Sequence, residues 1–287
     1  MIGIILAGGR GTRLYPSTRL ISKHLLPIAG KPMIYYSITT LLYLGCTEII
    51  ILCTPKDKQL YDRIFTTVRE LNVKLSFVEQ DKPSGIPDAI LQTKSLRRDR
   101  EAIVILGDNI FVGNDFKQMD LLKRDNNFAI ITKKVNNPEE FGVMIDGPNG
   151  RSFEEKPSEF KSSNAVLGLY KIPRDIDEKI LQQSFSDRNE LEIMDTIFQY
   201  NKEGRLSVNS LGRATYWCDA GSYDRINEAN EFITVLEKNS LGLVGCPEEA
   251  ALNSKLITEE EFEAMVLKMP GCSYRTSLKK LLLDRQK

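Results

Sequence analysis

An unbroken run of apolar and glycine positions, Ile2 to Ala7, opens the chain and empties into Gly8-Gly9-Arg10-Gly11. A run of this kind predicts a strand buried on both faces. Further strands are predicted at Glu48–Cys53, Lys74–Gln80 and Ala102–Asp108, and between them Pro32–Leu44, Pro55–Leu71 and Ile86–Leu96 carry helical periodicity. Alternation of strands and amphipathic helices predicts an α/β fold with a mostly parallel sheet flanked by helices. Pro32 and Pro55 suit a first helical turn, where a missing N–H costs nothing. Phe128–Val135 predicts one more strand.

After Asn136 the pattern shortens. Gly142–Asp146, Arg151–Glu155 and Ala165–Ile172 are β-rich and separated by turn-forming residues, which predicts a small sheet over the carboxyl ends of the parent sheet. Glu190–Lys202 predicts a helix, and Leu206–Leu211 and Thr215–Asp219 predict strands. From Ser222 onward the pattern is mostly helical, with a capping box at Thr258-x-x-Glu261 and a further helix over Ser273–Arg285.

Composition narrows the function classes. At 287 residues there is room for one large domain, or one with a small appendage. Lys plus Arg and Asp plus Glu both number 39, and that balance argues against a nucleic-acid binder. The five cysteines are odd in number and form no CxxC pair, so a reduced, cytoplasmic protein without structural zinc is expected. The chain opens directly on a core strand, so no signal peptide is expected. No apolar run approaches the length of a membrane span.

The chemistry starts at the first strand's end. Gly8, Gly9 and Gly11 let backbone N–H groups approach an anion, and Arg13 and Lys23 can grip phosphate oxygens from two sides. A tight turn without ligand would use the same glycines. The usual phosphate loops are excluded: no Gly-Lys-Ser/Thr follows Gly8 or Gly11, and Leu14 stands where a dinucleotide fold needs its third glycine. Ala102–Leu106 ends in Gly107-Asp108-Asn109, and Tyr216-Trp217-Cys218 ends in Asp219-Ala220-Gly221. An aspartate at a strand's carboxyl end serves equally as a turn cap or as a Mg²⁺ ligand, and two such aspartates can share one hard cation with phosphate oxygens. Glu155-Lys156 offers a carboxylate for vicinal hydroxyls and an amine for phosphate, though a solvated ion pair would look the same. Gln80 can read the O4/N3–H edge of thymine or uracil, or stand idle in a loop. His24 is the only histidine, which leaves little room for histidine acid–base chemistry or a histidine metal cluster. The only tryptophan, Trp217, is expected to pack in the core.

Gly8-Gly9-x-Gly11-Thr12-Arg13-Leu14 followed by Ser22-Lys23-x-Leu25-Leu26-Pro27 resembles the signature of the sugar-1-phosphate nucleotidylyltransferases, most closely their long thymidylyltransferase branch. The later motifs arrive in the same order, nearly end to end. The resemblance implies a Rossmann-like sheet with a small β-rich sugar-binding insertion and a helical C-terminal region. It divides the chain into a catalytic domain over 1–240, with the sugar part at about 136–220, and a regulatory or oligomer-forming extension over 241–287. It implies transfer of a nucleotidyl group from dTTP to a sugar 1-phosphate, with Mg²⁺ and loss of pyrophosphate, in a cytoplasmic homotetramer. Arg13, Lys23, Asp108 and Asp219 would be catalytic, the two aspartates holding the metal. Leu6, Gly8, Gly9, Gly11, Thr12, Gln80 and Gly85 would bind the nucleotide. Asn109, Gly142, Glu155, Lys156 and Val166 would bind the sugar phosphate. Gly245-Cys246-Pro247-Glu248-Glu249 with Gly212-Arg213 resembles a second, inhibitory nucleotide site carrying Arg213, Cys246 and Glu249.

The chain departs from the family's pattern at several points. Pro87 and Asp88 replace an Ala-Gln pair in the base loop, and Asn189 replaces a glycine. Phe141, Leu167 and Met194 replace hydroxyl-bearing residues around the sugar, and Ala220 replaces a threonine. Lost hydroxyls predict a relaxed or altered sugar choice, toward a deoxygenated or amino-substituted hexose. Two alternatives stay open: the same chemistry with UTP or another acceptor, and a non-catalytic sugar-nucleotide sensor.

Overall fold

The central strand β1 (Ile2–Ala7) forms where its apolar run predicts it, with only Leu6 less than fully buried. The computed structural model describes residues 1–113, 126–148, 150–239 and 242–285. A two-strand hairpin, β2 (Pro27–Ile28) and β3 (Lys31–Pro32), leads into α1 (Ile34–Tyr43). Then come β4 (Glu48–Cys53), α2 (Pro55–Arg69), β5 (Lys74–Glu79), α3 (Ile86–Gln92), α4 (Lys94–Arg97), β6 (Ala102–Leu106), β7 (Asn109–Val112) and β8 (Phe128–Lys134). The middle of the chain supplies β9 (Gly142–Gly147), β10 (Gly150–Glu155), β11 (Asn164–Ile172), α5 (Ile176–Ile180), α6 (Ile193–Lys202), β12 (Leu206–Ser210) and β13 (Tyr216–Asp219). Four helices close it: α7 (Tyr223–Asn239), α8 (Pro247–Asn253), α9 (Glu259–Lys268) and α10 (Ser273–Arg285).

β5, β4, β1 and β6 run parallel and in register, so that Leu6, Leu52 and Leu106 stand side by side at one end. The small sheet expected after Asn136 is not separate: β8 to β12 all belong to one nine-stranded sheet with the central strands, the β9–β10 hairpin branching from the start of β11. The reason is the burial of β11, whose residues beyond Asn164 are all buried, so both of its edges need partners. It takes β6 antiparallel on one side and β8 on the other, with a register shift between Val166 and Tyr170.

Helix boundaries also differ from expectation. Pro32 pairs with Pro27 across a turn in which Ala29 and Gly30 have φ of 45° and 75°, so α1 starts beyond it. The helix expected over Ile86–Leu96 is broken at Thr93, whose hydroxyl donates to the Ile90 carbonyl at 2.7 Å. α9 opens on the expected capping box, with Thr258 and Glu261 each satisfying the other's backbone N–H. Helices α8 to α10 share one apolar core with α1 and the sheet: Leu252, Phe262, Met265, Leu278 and Leu282 belong to the cluster that contains Ile38 and Leu41. The expected boundary at residues 240 and 241 lies outside the described residues.

Candidate active site

A cleft of about 350 Å³ opens at the carboxyl ends of β1, β4 and β6, between the glycine turn and the β9–β10 hairpin. This is where a parallel sheet leaves backbone ends free for ligands. Of the expected site residues, the cleft gathers Leu6, Gly8, Gly9, Arg13, Lys23, Gln80, Gly85, Asp108, Asn109, Gly142, Glu155, Lys156, Val166 and Asp219. Gly11 and Thr12 do not line it. Thr12 is exposed, and Gly11 holds a left-handed φ of 61° that lets the short Thr12–Leu14 turn begin. Leu14, fully buried, anchors that turn, and Arg13 beside it lines the open cleft.

Each remaining glycine of the turn makes room for a different group. A Cβ on Gly8 would stand 2.4 Å from Gln80 Oε1, whereas one on Gly9 would stand 3.6 Å from Lys23 Nζ. The turn therefore separates an uncharged arm from a cationic one. The uncharged arm has Leu6, Leu52, Pro83, Ile86 and Ala89 as walls and the Gln80 amide as its polar group.

On the cationic side, Lys23 forms an ion pair with Asp108, and Asn109 Nδ2 donates to Asp108 Oδ1 at 3.2 Å. β13 lies antiparallel on β7 with Asp219 opposite Asn109, so the two strand-end aspartates are neighbours. The Ala220 N–H donates to the Asp108 carbonyl at 2.9 Å and pins that pairing. A Cβ on Gly221 would stand 2.6 Å from Arg13 Nη2 and 3.0 Å from Asp219 Oδ1, which places Arg13 beside the second aspartate. Burial raises the pKa of Asp219 to about 6, with the Asp108 charge adding to it. Burial also acts against ionised Asp108, but the Lys23 ammonium, with its hydrogen bond, outweighs it and holds that carboxyl below the ordinary range. Two crowded carboxylates with only oxygen donors suit a hard divalent cation, which relieves their mutual repulsion. Among the described residues no group of three or more His, Cys, Asp or Glu could hold a metal, so substrate oxygens would complete the shell.

His24 lines the cleft. Burial, then the neighbouring Lys23, lowers its pKa to about 3, so it is neutral. Its Nδ1 lies 3.1 Å from Ser22 Oγ and 3.2 Å from Tyr61 Oη, which ties the Lys23 turn to α2.

Across the cleft, Glu155 pairs directly with Gly142 in the β9–β10 hairpin. A Cβ on Gly142 would stand 2.9 Å from Glu155 Oε2 and 2.7 Å from Met194 Cε, so both side chains close on that glycine. Burial raises the pKa of Glu155. Lys156 is exposed at the rim, its N–H donating to the Phe141 carbonyl at 3.0 Å. Of the replaced hydroxyl positions, Phe141 and Met194 line the cleft. Leu167 does not: it is fully buried in the core cluster, because alternation along β11 turns it away from Val166.

Sequence reasoning missed three contributors. Trp217 is more than packing: its Nε1 donates to Asn109 Oδ1 at 2.8 Å, and its ring meets Phe141 edge-on at 5.1 Å. Arg188 forks onto Glu192 at 3.1 and 2.6 Å and reaches within 3.7 Å of Glu155. Asn189 beside it has a φ of 58°, a conformation that asparagine tolerates, where the resemblance has glycine. Glu140, at the cleft wall, accepts from Arg225 Nη2 at 2.7 Å. The two carboxylates close to the single basic side chain in Arg188–Glu192 were the available signal for the second of these.

Two of the three expected regulatory residues are in direct contact. Cys246 and Glu249 are joined at the start of α8, where the thiol sulfur accepts the Glu249 N–H at 3.5 Å. Cys246 is buried beneath Tyr274, whose hydroxyl donates to Cys246 Sγ at 3.3 Å and to Glu248 Oε2 at 2.5 Å. Arg213 is exposed on the turn between β12 and β13. Among the described residues no helix is long and apolar enough to cross a membrane.

Cations and a carboxylate pair at the end of a parallel sheet, between an amide-bearing slot and a carboxylate-bearing pocket, define a group-transfer enzyme acting on phosphate esters. The chain belongs to the nucleotidyl transferase family, whose model, described as Nucleotidyl transferase, matches residues 2–235. A glucose-1-phosphate thymidylyltransferase of Mycobacterium tuberculosis is 39% identical over 289 residues, covering 98% of this chain and 99% of that one. One from Neisseria meningitidis serogroup A is 36% identical over 286 residues, covering 98% and 99%. A solved structure from Bacillus anthracis, described as a candidate glucose-1-phosphate thymidylyltransferase in complex with a sucrose, has a TM-score of 0.75 and 32% identity over 85% of this chain and 99% of its own. Membership of this family makes the chain an enzyme, and the sensor alternative is not favoured.

Proposed function

We propose that the protein joins dTTP and glucose 1-phosphate to give dTDP-glucose and pyrophosphate. One observation carries the reading: Arg13, Lys23, Asp108 and Asp219 line one cleft together with Gln80, Gly142 and Glu155. The slot takes the base, the pocket takes the hexose, and the reacting phosphates meet between them. A phosphate oxygen of the sugar attacks the α-phosphorus; the new O–P bond forms as the α–β bridge breaks, and pyrophosphate leaves with the bridging electron pair. Such chemistry needs positioning and charge neutralisation more than proton transfer. Arg13 grips the triphosphate. Lys23 leaves Asp108 to meet the α-phosphate and stabilises charge as it develops. Glu155 accepts from vicinal sugar hydroxyls, Asn109 and the Gly142 and Val166 backbones complete that pocket, and Lys156 meets the sugar phosphate from the rim. Gly11 and Thr12 support the phosphates only by holding the turn. Mg²⁺, held by Asp108 and Asp219, would draw electron density from phosphorus and clamp both reactants.

The full-length likeness to thymidylyltransferases supports glucose over the deoxygenated or amino sugar that the lost hydroxyls predicted, and dTTP over UTP. The same likeness supports a cytoplasmic homotetramer with a second nucleotide site near Arg213, Cys246 and Glu249. Burial of the Cys246 thiol would limit its contribution there to backbone atoms. The test is pyrophosphate release with Mg²⁺ across dTTP, UTP, CTP and GTP against glucose 1-phosphate and its deoxy and amino analogues. Fastest release is expected with dTTP and glucose 1-phosphate, and a clear preference for another pair would overturn the substrate assignment.

A further inference from the structure

Among the described residues, the Gln80 amide is held by its nitrogen end. Its Nε2 donates to Asp88 Oδ2 at 3.2 Å, and Gln92 Nε2 donates to the same oxygen at 2.7 Å. A carboxylate accepts and never donates, so only the NH₂ end of the amide can face Asp88. Oε1 is thereby turned the other way, toward Gly8, where a Cβ would stand 2.4 Å from it. Gln80 is 3% exposed, so this amide has little room to rotate. Asp88 itself is well placed: it lies in the first turn of α3, where a negative charge meets the helix's free N–H groups. Without the carboxylate, nothing in this arrangement would distinguish the two ends of the amide.

We propose that Asp88 is a specificity-determining residue, which sets the nucleobase by fixing the Gln80 amide with its oxygen toward the slot. This rests on the assignment of Gln80 and its apolar walls to the base. A fixed acceptor matches a pyrimidine whose ring N3 carries hydrogen, as in thymine and uracil. It opposes cytosine, whose N3 is a lone pair, because two acceptors face each other with no proton between them. Asp88 need not touch the base; it acts through Gln80.

The experiment compares kcat/KM and Kd for dTTP and dCTP in the wild-type enzyme, in Asp88→Asn and in Gln80→Leu. Asparagine keeps the shape but can accept or donate, so it releases the amide's orientation. The dTTP-over-dCTP preference is expected to shrink at least ~10-fold in Asp88→Asn, the scale of one misplaced hydrogen bond at a reading site. Residual binding of dTTP in that variant shows that it is folded. Equal weakening of both nucleotides, with the preference intact, overturns the proposal. A preference that survives in Asp88→Asn but shrinks in Gln80→Leu also overturns it, while sparing the base slot. A preference that survives in Gln80→Leu removes the base assignment and the proposal with it.

Discussion

The carbonyl oxygen of Leu191 lies 2.0 Å from the point where a Cβ on Gly85 would stand. The Leu191 N–H also donates to the Ser84 carbonyl at 2.9 Å. The base loop and the segment carrying Arg188 and Glu192 are therefore locked backbone to backbone. Gly85→Ala cannot be accommodated without parting them, and its φ of 99° is strained for any L side chain. We expect the substitution to cost ~2 kcal/mol or more of stability and to raise KM for both substrates together. Denaturant unfolding and two-substrate kinetics check this, and a rise in only one KM would contradict the coupling.

Lys23→Ala and Asp219→Ala should each lower turnover by at least ~10²-fold, the scale of one preorganised electrostatic group. Single-turnover rates with dTTP and glucose 1-phosphate, beside a melting curve to show the variant is folded, are the measurement. Near-normal turnover in either variant removes that residue from the chemistry.

Trp217→Phe keeps an aromatic ring against Phe141 but loses the N–H that holds Asn109. Asn109 Oδ1 also accepts the Gly168 N–H at 3.2 Å and its Nδ2 donates to Asp108, so the amide keeps two of its three hydrogen bonds. Turnover should fall about tenfold, one hydrogen bond's worth, with a weaker apparent affinity for Mg²⁺ as Asp108 loosens. Metal titration of the rate checks it: an unchanged metal dependence would confine Trp217 to packing.

Arg205 holds Asp175 by two hydrogen bonds, 2.7 and 2.9 Å, and the Tyr200 hydroxyl adds a third at 3.2 Å. The Arg205 bonds, foremost, lower the Asp175 pKa below its unfolded value. A depressed carboxyl contributes stability that is complete above the unfolded pKa, about 3.9, and is lost as pH falls through the folded one. Asp175→Asn should thus cost ~1 kcal/mol at pH 7, with the gap to wild type closing below about pH 4. Thermal melts of both proteins across that range decide it. A gap that persists at pH 3 would point to lost packing instead.

The features legible in the sequence were those written into neighbouring residues. β4 and α10 fall on their predicted bounds, because an unbroken apolar run or a helical repeat needs no partner to be recognised. Strand-end aspartates were legible for the same reason: Asp108 and Asp219 each follow an apolar run. What escaped depends on residues far apart in the chain. β7 is short and acquires its identity only by pairing with β13. The start of α6 is delayed to Ile193, because the residues before it are committed to the Ser84 carbonyl and to Arg188. No local pattern announces that Trp217 will reach Asn109, or that Asp88 will turn Gln80.

The pairing of β7 with β13 has a consequence for synthesis. As the chain emerges from the ribosome, the strand carrying Asn109 is made long before its partner, with the whole sugar pocket still to come. A nascent chain therefore holds one aspartate of the pair and no second to share a cation with it. If Asp108 and Asp219 hold the metal as proposed, a cation would stabilise this protein only after β13 is in place. Cation binding would thus act as a seal on a finished fold rather than as a seed for folding, and a truncated product ending before β13 would gain nothing from it.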